Sequence, residues 1–311
     1  MCFITELSLI RVNILIISIR QAKMVFKYFF LVFSSKTVTG TYSVSASVTG
    51  TSQTIQVPLT KLPKLELVTS GVQGKVLDSS YTYVSILVVG RGGDYGDFTD
   101  STGAGGGGGV IYAPNIHITD LPKINITFLT YTSVDDGGLT NFTCYKGQNG
   151  VHLNKKDGGQ GGQAASVGTF SVVTAGGNGG GNGGGNHNPS GGGGSCANGF
   201  NVTGGKGGDG TFSHRGGGSA PGMPGTPANT TIIPLTSIFN GTGKGGDTTS
   251  NWTAGGGGGG GYGNGGNAVK GNYLPPGYGG GGAGVPNSEG GSNYGKGGTG
   301  IVCLYYHNDP I

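Results

Sequence analysis

Thr41-Tyr42-Ser43-Val44-Ser45-Ala46-Ser47-Val48 alternates with period two, and Thr54-Ile55-Gln56-Val57 repeats the pattern before Pro58. Strict alternation is the mark of strands with one covered face. Further runs at Lys64 to Val68, Tyr81 to Val89, Val110 to Thr119 and Lys123 to Thr132 are rich in Val, Ile, Thr and Tyr. Gly, Pro, Asn or Asp bounds each of them, so the spacing predicts antiparallel β structure in a small sandwich. Asp135-Asp136-Gly137-Gly138 has the chemistry of a turn, since Asp-Gly supplies positive φ at little cost.

From residue 158 to 300 the pattern is lost. Short glycine runs alternate with single Asn, Lys, Ser, Tyr or Ala, and the longest run spans Gly255 to Gly261. Two islands, Val167 to Ala175 and Thr230 to Phe239, read as short strands or extended segments, and Ile301 to Tyr306 reads as a terminal apolar strand. Such a strand needs a partner, and the β block at the other end of the tract is the simplest one. The expected organisation is an apolar leader over 1–36, a β-rich block over 37–157, and a glycine-rich domain over 158–307 closed by the last strand. Residues 51–307 are expected to form one unit.

The leader is broken by Arg11, Arg20, Lys23, Lys27 and Lys36, so it never reaches the ~18 uninterrupted apolar residues of a membrane helix. Read from Met24, it has the order of a short signal peptide: a basic residue, an apolar core, then small residues. Glycine contributes 73 of 311 residues and charged residues only 10%. That leaves little material for amphipathic helices and excludes all-α and helix-wrapped folds. A net charge of +4, thinly scattered, gives no footprint for nucleic acid.

So much glycine has two physical outcomes. One is a flexible coil, because glycine loses the most backbone entropy on folding. The other is a lattice of extended left-handed helices that bond their N–H and C=O groups to neighbours, which bare backbones can approach closely. The bracketing strands favour order. The expected fold is therefore all-β, with antiparallel strands framing a tract of stacked polyglycine II-type helices. Glycine does not recur at every third position, so a collagen helix is excluded.

Tyr83-Val84-Ser85-Ile86-Leu87-Val88-Val89-Gly90-Arg91-Gly92-Gly93 is followed by Gly105 to Gly109 leading into Val110-Ile111-Tyr112-Ala113-Pro114. The tract and Gly297-Gly298-Thr299-Gly300-Ile301-Val302-Cys303-Leu304-Tyr305-Tyr306 complete an order that resembles the glycine-rich domain of bacteriophage tail-fibre and other virion proteins. Ile55 to Pro58 and Lys64 to Val68 resemble its opening strands, so the resemblance covers about residues 51–307. It implies strands framing glycine segments. In the related adhesins of T-even-like phages, stacked polyglycine helices carry distal loops that touch the host surface. The implied role is a structural or adhesive protein of a virion surface or extracellular location, with a host receptor or other virion proteins as partners. The chain departs from the pattern where Asp94 to Asp100 dilutes the first glycine turn, and across a long, glycine-poor 120–157. A weaker resemblance is to the glycine-rich extracellular region of some receptor tyrosine kinases. A secreted or cell-wall glycine-rich glycoprotein of a eukaryote is the other reading.

Sites of chemistry are sparse. Gly90-Arg91-Gly92 lacks the third glycine and following helix of a dinucleotide fingerprint, and Gly243-Lys244-Gly245 lacks the Ser or Thr of a phosphate loop. His117, His152, His187, His214 and His307 lie far apart in sequence, no serine sits in a nucleophile elbow, and no enzyme is expected. Cys2, Cys144, Cys196 and Cys303 are too widely spaced for a zinc cluster and read as small buried residues. Asp94, Asp97 and Asp100 lack calcium-loop spacing and read as a solvated turn. No cofactor, metal or nucleotide is expected. Glycosylation triplets begin at Asn125, Asn141, Asn201, Asn229, Asn240 and Asn251. The candidate contact residues are Tyr95, Phe98, Trp252, Tyr262, Tyr273 and Tyr278, because aromatic rings on a Gly, Asn and Ser surface offer large contact area at low entropy cost.

Overall fold

The computed structural model describes residues 41–48, 51–58, 61–95, 104–150, 159–175, 262–269, 272–282 and 295–311. The chain divides into two compact units, 1–60 and 61–311. In the first, β1 (Thr41–Val48) and β2 (Thr51–Pro58) pair antiparallel with Val44 opposite Ile55. The alternating segments read from the sequence thus become one hairpin.

The second unit is built on two antiparallel five-stranded sheets, and no described residue is helical. The first sheet has the order β11-β6-β5-β14-β3, from Val173–Ala175, Val110–His117, Tyr83–Val89, Ile301–His307 and Lys64–Val68. The second has the order β10-β9-β8-β7-β4, from Ala164–Val167, Asn141–Tyr145, Tyr131–Asp135, Lys123–Phe128 and Val72–Val76. A separate hairpin pairs β12 (Asn267–Val269) with β13 (Asn272–Leu274). The closing strand finds its partners where expected: β14 lies between β5 and β3, with Leu304 opposite both Ile86 and Glu66.

Between the sheets, Ile86, Val88, Ile111, Val302, Leu304 and Tyr306 meet Ile124, Ile126, Val134, Phe142 and Cys144 in a closed core. The other face of the first sheet is covered as well. Leu87, Val89, Val110, Tyr112, Ile301 and Cys303 are fully buried there, with Val173, Tyr262 and Tyr305 packed against them. Burial on both faces explains why Val84 to Val89 is a continuous apolar run broken only by Ser85, whereas Asn141 to Tyr145 alternates. Pro114 is tolerated inside β6 because the pairing with β5 slips by one residue there, at a bulge next to Asn115, which has φ of +52°.

The sequence run Lys123 to Thr132 is not one strand but two, turning at Leu129 and Thr130, and the island Val167 to Ala175 holds the end of β10 and all of β11. The other island, Thr230 to Phe239, lies outside the described residues, as does the leader over 1–36. Gly137 takes φ of +74° at the β8–β9 turn, as the Asp-Gly chemistry requires.

Where strands leave this sandwich at one end, glycine segments continue them. The 90–95, 104–109, 145–150, 159–163, 277–282 and 295–300 segments bond to one another through their backbones, at 2.7–3.0 Å. The bonds repeat at every third residue. Gly90 and Gly93 donate to Gly109 and Gly106, Gly92 and Tyr95 to Gly298 and Gly295, and Gly105 and Gly108 to Gly282 and Gly279. Gly106 and Gly109 donate in turn to Gln148 and Tyr145, and Gly159 and Gly162 to Ala104 and Gly107. The 104–109 segment therefore bonds four other segments. A strand in a sheet points its backbone groups to two sides only, so this is three-dimensional packing and not a further sheet.

Bare backbone is a requirement of that packing. A Cβ on Gly93 would land on the carbonyl oxygen of Gln148, and one on Gly105 would land on that of Gly93. Neither obstacle is a side chain that can swing aside.

Candidate functional site

Beside these segments, Tyr262, Asn264, Leu274, Pro275, Gly277 and Tyr278 line an open groove of about 320 Å³. Its floor is held by reciprocal backbone bonds: Gly263 donates to Tyr278 and Gly277 to Asn264. A Cβ on Gly263 would meet the backbone of Gly277 and Tyr278, so glycine is what lets the two chains lie this close. The β12–β13 hairpin joins them and is short enough to return the chain beside itself.

The rings of Tyr262 and Tyr278 stand edge to face at 6.1 Å between centroids. Tyr278 is 37% exposed, while Tyr262 reaches down to the second apolar layer of the first sheet. Burial pushes the Tyr262 hydroxyl above its ordinary pKa, with smaller contributions from Cys303 and Tyr278. Among the described residues no charged side chain lines the groove. Such a wall offers ring contact and hydrogen bonding to backbone or amide groups.

Of the contact residues expected from sequence, the structure brings Tyr262 and Tyr278 together, with Tyr273 in the hairpin between them. Tyr95 has a different place. Its N–H donates to Gly295 and its ring covers Gly295 so closely that a Cβ there would strike it, which makes it a cap on the glycine segments. Phe98 and Trp252 lie outside the described residues.

Asp94 is a correction to the solvated-turn reading. It is half-buried, and its carboxylate takes Lys146 Nζ at 2.7 Å, Arg91 at 3.0 Å and the Gly297 N–H at 2.8 Å. Its own N–H donates to Asn149 Oδ1 and its carbonyl accepts from Gly150. Burial alone would raise its pKa, but Lys146, the Gly297 N–H and Arg91 outweigh it and hold the carboxyl below the usual range. With two cations already on it, Asp94 is a clasp between glycine segments.

Sequence reasoning also missed the pairing of Ser85 with His307, whose Oγ and Nε2 lie 2.9 Å apart. Ser85 Oγ accepts the Asn115 N–H at 3.0 Å, and His307 Nδ1 faces the Asp309 carbonyl at 2.8 Å. A neutral imidazole satisfies all of this when Nδ1–H donates to Asp309 and Nε2 accepts from the Ser85 hydroxyl. A serine within reach of a histidine has the form of a nucleophile and its base. Here both are buried, the third partner is a backbone carbonyl, and Tyr83 and Tyr305 stack on the imidazole at 5.7 Å and 5.4 Å. Burial also depresses the His307 pKa. The pair ties the end of β14 to β5, and Asn115 extends the tie by bonding the backbone N–H and carbonyl of Ile311.

Among the described residues no cluster of His, Cys, Asp or Glu has a metal-binding arrangement, and no helix is long and apolar enough to cross a membrane. Cys144 and Cys303 are both buried free thiols. No protein-family model matches the chain, and no curated protein matches it either.

Proposed function

We propose that this chain is a non-catalytic surface scaffold, in which the sandwich anchors a lattice of polyglycine II-type helices that presents loops and the Tyr262–Tyr278 groove to a partner. The observation that carries the reading is the 104–109 segment bonded to four others at a repeat of three residues. A left-handed extended helix of about three residues per turn directs successive N–H groups to successive neighbours, and only glycine permits the close approach. Rigidity of this kind comes from backbone bonds, each contributing about 0.5–1.5 kcal/mol net. It suits a structure that must hold contact loops far from its own core. The resemblance to virion adhesins gives the place of action, a virion surface or extracellular location, with a host receptor or neighbouring virion protein as the partner. The secreted eukaryotic glycoprotein reading draws support from one observation, the exposure of Asn141 on the polar face of the second sheet.

Amide hydrogen exchange on the purified full chain tests the scaffold. Slow exchange at 90–95, 104–109, 277–282 and 295–300 is expected, comparable to that of β5 and β14. Exchange at random-coil rates in these segments would leave a flexible spacer and end the reading.

A further inference from the structure

We infer that Asn141 is the acceptor for an N-linked oligosaccharide on the sandwich, and that Asn125, which has the same triplet, is not. The inference rests on the surface reading above, in a host with a eukaryotic secretory route. The two residues lie in one row of the second sheet, on either side of Asp135, since Asn125 pairs with Asp135 and Asp135 with Asn141. Their side chains are used differently.

Asn125 is half-buried and engaged at both ends. Its Oδ1 accepts the Gly74 N–H at 2.9 Å, and its Nδ2 donates to Asp135 Oδ1 at 2.8 Å. Gly74 needs that bond, because its φ of +65° marks the irregularity in the β4–β7 pairing. A sugar on Nδ2 would have to stand between Asp135 and the β4 backbone. Asn141 is exposed at the edge of this arrangement, and its neighbour across the β9–β10 pairing, Val167, is 64% exposed. The hydroxyl of Thr143, the third residue of the triplet, donates to Asn141 Oδ1 at 2.7 Å. Nδ2 then faces outward with no described residue engaging it.

The chemistry needs only an activated sugar donor of the polyprenyl-diphosphate oligosaccharide class and the host transferase. Nδ2 forms a bond to the anomeric carbon of the first sugar, the bond from that carbon to the diphosphate oxygen breaks, and the lipid diphosphate leaves with the electron pair. One amide proton passes to a base of the transferase, and nothing is oxidised or reduced. β9 begins at Asn141 and runs into the glycine segment at 145–150, so the oligosaccharide would stand at the end of the sandwich away from the lattice. The groove would stay uncovered.

The test is secretion of the full chain behind a cleavable signal in a eukaryotic cell, followed by enzymatic glycan removal in heavy-oxygen water and peptide mapping. Asn141 converted to labelled Asp with Asn125 unchanged is the expected result. An occupied Asn125, or an empty Asn141, in the folded secreted protein overturns it. If no protein is secreted, unglycosylated bacterial material gives the second measurement. Asn125→Ala is then expected to lower Tm by about 3 °C and Asn141→Ala to leave it within about 1 °C; equal losses, or the reverse order, overturn the distinction. Hydrogen exchange on the same sample separates the two proposals. Slow lattice exchange with an empty Asn141 removes this inference alone, whereas coil-like exchange with an occupied Asn141 removes the scaffold reading.

Discussion

The carboxylate of Asp94 accepts the backbone N–H of Gly297 at 2.8 Å, joining glycine segments 203 residues apart in sequence. The same carboxylate holds Lys146 and Arg91, so one side chain fixes three segments that are otherwise joined mostly through their backbones. Asp94→Ala is expected to lower stability by about 2 kcal/mol in urea unfolding, and Asp94→Asn, which keeps a neutral acceptor, by about half as much. Exchange at Gly297 should rise in both. Since the folded pKa lies below the unfolded value of about 3.9, this stabilisation is complete above that value and is lost as pH falls through the folded one. An Asp94→Ala protein with unchanged stability at neutral pH would show that the clasp is incidental.

Gly93→Ala and Gly105→Ala place a methyl group on a carbonyl oxygen of a neighbouring segment. Each is expected to destabilise by about 2 kcal/mol or more, because rigid backbone must move. Gly138→Ala is the control. Its nearest obstacle is the exposed carboxylate of Asp136 at 3.3 Å, and the change should stay within about 0.5 kcal/mol. Thermal unfolding of the three variants checks the order, and equal effects would mean the lattice is looser than its bonds imply.

The strands that were legible in sequence, β1, β2, β3, β5, β6 and β14, are alternating or dense apolar runs, and β5 and β14, buried on both faces, are the densest. Less was visible where polarity masked the period. β9 alternates correctly through Phe142 and Cys144 but carries Asn and Thr between them, and β4 contains Gly74 and Lys75. The β7–β8 hairpin turns at Leu129-Thr130, which has no Gly, Pro, Asn or Asp to announce it. The groove tyrosines stood out as aromatics among glycines, although nothing in their spacing said that Tyr262 and Tyr278 would meet. Asp94 and Ser85 were illegible for a different reason. Their partners are a backbone amide at Gly297 and a histidine 222 residues away, and neither long-range contact leaves a local pattern.

His307 makes stability fall with falling pH, the same direction as the Asp94 clasp, but through burial of a neutral imidazole and not through an ion pair. Its folded pKa is depressed by burial below the unfolded value of about 6.5, so the unfolded chain binds the extra proton first as pH falls. The stabilisation is whole above about pH 6.5 and declines below it, with a slope of at most about 1.4 kcal/mol per pH unit until the folded pKa is reached. Tyr83 and Tyr305 stack on the imidazole, His117 stands edge-on to Tyr83, and Asp309 makes a smaller contribution that raises the His307 pKa without overcoming burial. His307→Gln is expected to be less stable at about pH 7.5 and to show a flatter profile down to about pH 5. Parallel profiles for the two proteins would assign the acid sensitivity elsewhere.

Cys144 and Cys303 occupy the two apolar layers on opposite faces of the first sheet, one between the sheets and the other beneath Tyr262. Burial pushes both thiols well above their ordinary pKa, and Cys144 Sγ also donates to the Val88 carbonyl at 3.2 Å. A thiol that cannot ionise and cannot be reached does not react, so native alkylation mapped by peptide mass should leave both unmodified and modify both in urea. The two sites report on different events. Labelling of Cys144 requires the sheets to part, whereas labelling of Cys303 requires only that the cover over the second face, including Tyr262, lift away. If Cys303 labels first as urea is raised, the groove side of the molecule opens before the sandwich core. Labelling of the two in step would mean instead that groove, glycine segments and sheets unfold as one cooperative unit.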